Sequence, residues 1–187
     1  MQRTRSLAFC ALFTALIAIG AFIKISIPLE PFPMNFTLQF FFVLLAALLL
    51  GPRRACLSVG VYLALGLIGV PIFAAGGGPG YLLRPTFGFL LGFVAAAYVT
   101  AVVAARIARN MRFFPLLLAT VLGMLAYYAL GMLYFYGLSN YVIHMPVTWG
   151  LVLVNCFLIT LPGDFVLCLL ASLLAPRLMR ALRPILQ

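Results

Sequence analysis

Acidic side chains are almost missing from this chain. It has two, Glu30 and Asp164, against twelve lysines and arginines, and charged residues make up only 7% of the whole. A soluble globular domain carries roughly 25%. That class is excluded, and with 66% hydrophobic residues the chain reads as an integral membrane protein. No two carboxylates share a helix, and a single histidine, His144, leaves no cluster for a metal. Cys10, Cys56, Cys156 and Cys168 have no C-x-x-C spacing and read as small core hydrophobes. A G-x-S-x-G elbow, an H-E-x-x-H helix and a G-x-x-x-x-G-K-S/T phosphate loop are also missing. Catalysis is unsupported and no cofactor is expected. Uphill transport would draw its energy from a partner or from ion coupling. No polar linker or charge block divides the chain, so residues 1–187 read as one domain.

What the chain does have is apolar runs. The first, Leu7 to Ile23, follows Met-Gln-Arg-Thr-Arg. It lacks a small-x-small cleavage site before a polar region, so it reads as a retained helix and not as a signal peptide. The others are Phe36 to Leu50, Ala55 to about Phe73, Pro85 to Ala105, Phe113 to Leu138 and Leu151 to Ala175. A bilayer core of about 30 Å needs about 20 residues per helix. The second run is therefore short unless Asn35 and its neighbours join it. The expected fold is all-α, a six-transmembrane-helix bundle.

Basic residues orient it. Arg3 and Arg5, Arg53 and Arg54, Arg106, Arg109 and Arg112, and Arg177, Arg180 and Arg183 all fall on one side of a six-helix weave. The positive-inside rule puts that side, with both termini, in the cytoplasm, and the protein in the inner (cytoplasmic) cell membrane. The net charge of +10 is then a topology and lipid-headgroup signal, with membrane lipid as the partner and no nucleic acid.

Lys24, Arg84 and Glu30 fall on the outer side, where the loops are irregular. Ile27 to Pro33 has three prolines and is expected to form an extended cap, and Gly76 to Gly80 is a glycine-rich loop. Ser139 to Val147, with Asn140, Tyr141 and His144, is read as a third loop. Irregular backbone near membrane depth is tolerated where it lines a cavity. Tyr81, Phe87, Phe89, Tyr134, Tyr136 and Trp149 flank this region, and aromatics there are more often belt residues than ligand contacts. Tyr127, Gly131 and Tyr134 share one face of the fifth helix, and Gly131 admits a close approach. Asp164 lies within the sixth run, directly after Pro162 and Gly163, which weaken helix hydrogen bonding. An acid inside a bilayer helix is a functional-site hypothesis; the alternative is a structural acid bonded between helices.

An ordered set of fragments carries a resemblance. Thr37-Leu38-Gln39 opens the second helix, which ends in Leu48-Leu49-Leu50-Gly51-Pro52-Arg53. Leu65 to Phe73 runs into the glycine loop, followed by Arg84-Pro85-Thr86-Phe87-Gly88-Phe89, Tyr128-Ala129-Leu130-Gly131 and Leu161-Pro162-Gly163-Asp164. Over nearly the whole chain this resembles the BioY family, the biotin-specific S components of energy-coupling-factor (ECF) transporters. The resemblance implies six helices, an outward-facing site for biotin, a glycine-rich loop over it, and uptake driven by a T protein with two cytoplasmic ATPases. On the matching positions it implies a substrate site at Thr37, Gln39, Gly77, Gly78, Thr86, Tyr128 and Asp164. It also implies a T-protein docking face at Ala11 and Ala15; the residues alone equally allow these two to pack inside the bundle. The chain departs from the pattern at Leu167, where the family has lysine, at Arg84, where it has glycine, and at Asn35, where it has proline. Arg84 is therefore expected to hold the carboxylate of biotin, and Asp164 to accept from a ureido N–H. The alternatives are an S component for another vitamin and a proton-coupled carrier with Asp164 as relay. A small membrane enzyme is disfavoured by the missing motifs.

Overall fold

The computed structural model describes residues 2–28, 33–108 and 112–186, with side chains described between residues 4 and 181. Glu30 and the tip of the proline-rich cap, Arg109, and the side chains of Arg3 and Arg183 lie outside the described residues.

Helix α1 spans Gln2–Phe22 and leads into an antiparallel hairpin, β1 Lys24–Ile27 and β2 Met34–Thr37. Lys24 stands opposite Thr37 and Ser26 opposite Asn35. The hairpin corrects an expectation: Phe36 to Leu38 do not begin the second helix, and Asn35 does not extend it. That helix, α2, runs only from Gln39 to Leu50. Apolar on every side, it is buried along almost its whole length, as such a helix must be. Helices α1, α3, α4 and α7 pack around it. Gly51, at φ 79°, ends α2 in a conformation that side chains disfavour. Pro52 opens α3 (Pro52–Leu67) at the next residue, where its missing N–H costs nothing.

Helix α3 stops at Leu67, earlier than the apolar run suggests, because the chain turns back at Gly69 (φ 114°). A loop and a short 3-10 helix, Pro79–Leu83, lead to α4 (Phe87–Ile107). Helix α5 spans Phe113–Gly137 and continues as a π-helical turn, Leu138–Val142, so Ser139 is helical and not part of a loop. The sixth unit has three parts: α6 (Trp149–Val152), a π-helical segment Leu153–Leu158, and α7 (Leu161–Leu186). Thr148 caps it by accepting from the Leu151 N–H at 3.3 Å. The irregularity lies before Pro162, which sits in the first turn of α7, where proline is compatible with helix.

Four of these units, Thr4–Phe22, Phe87–Ile107, Phe113–Val142 and Trp149–Ala181, are long and apolar enough to cross a membrane. With 12 and 16 residues, α2 and α3 rise about 18 and 24 Å. Large apolar side chains such as Leu12, Phe114, Leu133 and Leu158 are more than half exposed, an exterior suited to lipid and not to water.

The closest helix pair is α4 with α5, and glycines allow it. A Cβ on Gly131 would stand 2.3 Å from the Phe89 ring, and one on Gly92 would stand 2.7 Å from the Tyr127 carbonyl oxygen. Small residues at such contacts are how membrane helices approach each other. Gly131→Val is therefore expected to force α4 and α5 apart and cost about 1–3 kcal/mol, as overpacking does. A lowered thermal unfolding midpoint in detergent checks it; an unchanged midpoint would mean that Phe89 moves aside freely.

Candidate functional site

Beside the hairpin, α2, α4, α5 and α7 leave a cleft of two adjoining parts. The outer part encloses about 450 Å³, its open mouth included, and is bounded by Met34, Asn35 and Thr37 of β2, Gln39, Ala74, Tyr81, Thr86 and the α4 residues Phe89 and Phe93. The inner part, about 320 Å³, shares Asn35, Thr37, Phe93 and Tyr127 with it and ends on Thr160 and Asp164. Aromatic walls with a few placed polar groups are the usual make-up of a small-molecule site.

Asp164 is buried at the floor. The Tyr128 hydroxyl donates to its Oδ2 at 2.5 Å, and Thr160 Oγ1 lies 2.8 Å from the same hydroxyl. Thr160 also donates back to the Cys156 carbonyl at 2.8 Å, within the irregular segment that precedes α7. A carboxylate accepts at two oxygens, so Asp164 keeps acceptor capacity toward the cleft. Gly163 lets β2 close over this floor, since a Cβ there would stand 2.6 Å from the Phe36 ring.

On the opposite wall Gln39 is buried. It donates from Nε2 to the Tyr62 hydroxyl at 2.5 Å, and Tyr62 donates to the Ile72 carbonyl at 3.3 Å. Thr37 donates to Gln39 Oε1 at 3.2 Å, which orients the amide.

The glycine loop shapes the mouth. Phe73 is buried and exchanges backbone hydrogen bonds with Gly76, while the Gly78 N–H donates to the Gly66 carbonyl at 2.7 Å. Gly77 rests so closely on the Val70 carbonyl that a Cβ would stand 2.3 Å from it. The Lys24 ammonium donates to the Ala74 carbonyl and so ties β1 to the loop.

Of the residues expected from the sequence, Thr37, Gln39, Thr86 and Asp164 line the cleft. Tyr128 stands behind Asp164 as its hydrogen-bond donor. Gly77 and Gly78 fold the loop against α3 and do not line either part. Arg84 is exposed at the rim, its guanidinium 5.1 Å from the centre of the Tyr81 ring. Burial pushes the Tyr81 phenol up, and the nearby Arg84 charge offsets part of this. Tyr81, Phe87 and Phe89 are buried and not belt residues; Tyr81 and Phe89 face the cleft. Leu167, at the position of the family's lysine, is buried. Ala11 and Ala15 are exposed on α1, which removes the alternative that they pack inside the bundle.

Sequence reasoning missed Thr160, Asn35, Tyr127, Phe89 and Phe93 as cleft residues. Thr160 had a signal, four residues before Asp164 on the same helix face. Phe89 and Phe93 also stand four apart on α4. Asn35 had none, because its strand is hidden at the edge of an apolar run.

The bundle and its cleft define a class, the multi-pass α-helical membrane proteins with a small-molecule cleft at one end. Within that class the chain belongs to the BioY family, whose model matches residues 1–184. A probable biotin transporter BioY from Lysinibacillus sphaericus is 41% identical over 182 residues, 97% of this chain and 90% of that one. The biotin transporter BioY of Thermotoga maritima is 44% identical over 128 residues, 68% of this chain and 72% of that one. The fold is similar to a 2.1 Å crystal structure of the S-component for biotin from an ECF-type ABC transporter. The TM-score is 0.82 at 27% identity, covering 96% of this chain and 93% of the other.

Removing the donor from a buried acid leaves it under-satisfied, at a cost of about 1–3 kcal/mol. Tyr128→Phe is expected to lower thermal stability by that amount in the unliganded protein. If the midpoint stays unchanged, the Tyr128 hydrogen bond does not hold the floor of the site.

Proposed function

We infer that this chain is the biotin-capturing S component of an ECF-type transporter. The observation that carries the reading is the cleft itself, a deep carboxylate below polar groups and aromatic walls, in a chain of the BioY family. Biotin presents two ureido N–H donors and one carbonyl, a largely apolar body, and a valerate tail ending in a carboxylate. In the proposed pose the ureido ring lies at the floor, where Asp164 accepts from an N–H. The body lies against the stacked Tyr127 and Phe93 rings, and Thr37, Asn35 and Thr86 stand along the polar wall. The tail points to the mouth, where Arg84, carried on the Tyr81 ring, meets the carboxylate as a fork. Gly77 and Gly78 keep the loop low enough to roof the site.

The proposed topology is six crossings, with both termini and the ten-arginine end in the cytoplasm of an inner-membrane protein. The exposed Ala11 and Ala15 face of α1 is the proposed seat of the T protein, which would couple the chain to two cytoplasmic ATPases. A proton-coupled carrier is the weaker reading. A relay needs successive titratable groups, and Asp164 is the one acid among the described residues.

Equilibrium dialysis of labelled biotin against the purified chain, without partners, tests the reading, and saturable stoichiometric binding is expected. No saturable binding would sink it. Arg84→Ala separates the carboxylate contact from loop shape. It should weaken biotin roughly ten- to a hundredfold, the loss of one charged hydrogen bond, and weaken biotin carboxamide little. Equal losses for both ligands would remove Arg84 from the site.

Ala11→Trp and Ala15→Trp are expected to leave biotin binding intact while uptake by cells carrying the complete transporter falls to background. Loss of binding together with uptake would place this face in the bundle's own stability instead.

A further inference from the structure

Gln39 lines the outer part of the cleft, and both ends of its amide are held by neighbours. One end of an amide accepts and the other donates, and the two fill almost the same space. Which end faces which neighbour is settled one residue further on. Ile72 stands beyond the end of α3, where the chain runs into the glycine loop. Its carbonyl accepts from the Tyr62 hydroxyl at 3.3 Å, and no other donor reaches it among the described residues. A carbonyl can only accept, so the single Tyr62 proton is committed to it. The Tyr62 oxygen is then left as an acceptor, and Gln39 turns its NH2 end that way, at 2.5 Å. The Oε1 end faces Thr37, whose hydroxyl donates to it at 3.2 Å.

The relay therefore has one direction. Thr37 donates to Gln39, Gln39 to Tyr62, and Tyr62 to the Ile72 carbonyl. The reverse direction would strip that carbonyl of its donor, which carries a cost. Gln39 and Tyr62 are buried, so solvent does not scramble the order. The consequence falls on Thr37. With its proton spent on Gln39, the hydroxyl can only accept from a ligand. Thr37 borders both parts of the cleft, and at the inner part it stands with Asp164, a second acceptor. The other hydroxyls there behave alike. Thr160 donates to the Cys156 carbonyl and Tyr128 to Asp164.

We propose that Tyr62 is a positioning residue for the ligand: by donating to Ile72 it fixes Thr37 as an acceptor, and Thr37 takes the second ureido N–H while Asp164 takes the first. Tyr62 itself borders neither part of the cleft. Its ring packs on Phe73 with centroids 5.4 Å apart, so the stretch that supplies the Ile72 carbonyl also holds Tyr62 in place. This role rests on the cleft being a biotin site, and it adds a means of selection. A ligand with a single N–H at this end leaves one of the two acceptors unpaired, so the site prefers a urea to a lactam.

The test uses equilibrium dialysis of the full purified chain with biotin and with two lactam analogues, in each of which one ureido N–H is replaced by a methylene. Tyr62→Phe keeps the ring and removes the hydroxyl. It should weaken biotin about tenfold, the worth of one hydrogen bond. It should barely affect one of the lactams, the one lacking the N–H that meets Thr37. Thr37→Val should show the same selectivity, and Thr37→Ser, which keeps the hydroxyl, should recover most of the lost affinity. If Tyr62→Phe does not give a single size-exclusion peak, Gln39→Met interrupts the same relay one step nearer the cleft and should give the same selective loss. Equal losses for biotin and both lactams would overturn the assignment and leave Tyr62 a packing residue. So would undiminished biotin binding by Tyr62→Phe. A wild-type chain that binds no biotin at all would instead sink the reading of the cleft, and this assignment with it.

Discussion

A carboxylate among apolar helices persists only if donors reach it, and the placement of Asp164 imposes that condition on the whole bundle. The donor comes from Tyr128 on α5, so α5 must lie directly against α7. A second contact holds the same pair further along, where the Thr120 and Ser172 hydroxyls meet at 3.2 Å. On its other side α5 is set by glycine contacts to α4, which bring Phe89, Phe93 and Tyr127 together as the aromatic wall. The floor, the wall and the spacing of three helices are thus one arrangement. A shift of α5 would disturb all of them.

The two ends of the bundle differ for physical reasons. At the cleft end the backbone leaves the helical state in a hairpin and a glycine loop. Each has its own hydrogen bonds, and one lysine joins the two. Such segments can border a cavity because their polar groups are satisfied locally or face it. At the arginine end the α2–α3 connection is a single glycine–proline corner, and Arg53, Arg54 and Arg106 are exposed. One end therefore borders a cleft, while the other exposes arginines.

Central α2 links the ends. It is too short to span a bilayer by itself, yet it is the most enclosed of the helices. Its amino-terminal Gln39 lines the cleft, and Ala47 and Leu48 in its last turns border a space beside Ala101 and Ala104 of α4 at the other end. A helix buried on all sides has no surface of its own, so its role is to fix the distances between the helices around it.

Much of this was legible in the sequence. The scarcity of acids and the length of the apolar runs establish a helical membrane protein, because no other fold satisfies backbone groups in lipid with these segments. The isolation of Asp164 marks the floor of the site, since a lone acid in an apolar run is too costly to be incidental. Tertiary structure alone decided the rest. The β1–β2 hairpin is invisible in hydropathy because Phe36 and Leu38 are as apolar as the helix they precede. The pairing of Tyr128 with Asp164 joins residues 36 apart in the chain, and Gly77 turns out to rest on Val70 and not on the cleft. Spacing along one helix can be read from a sequence. Which faces of different helices meet is settled by packing.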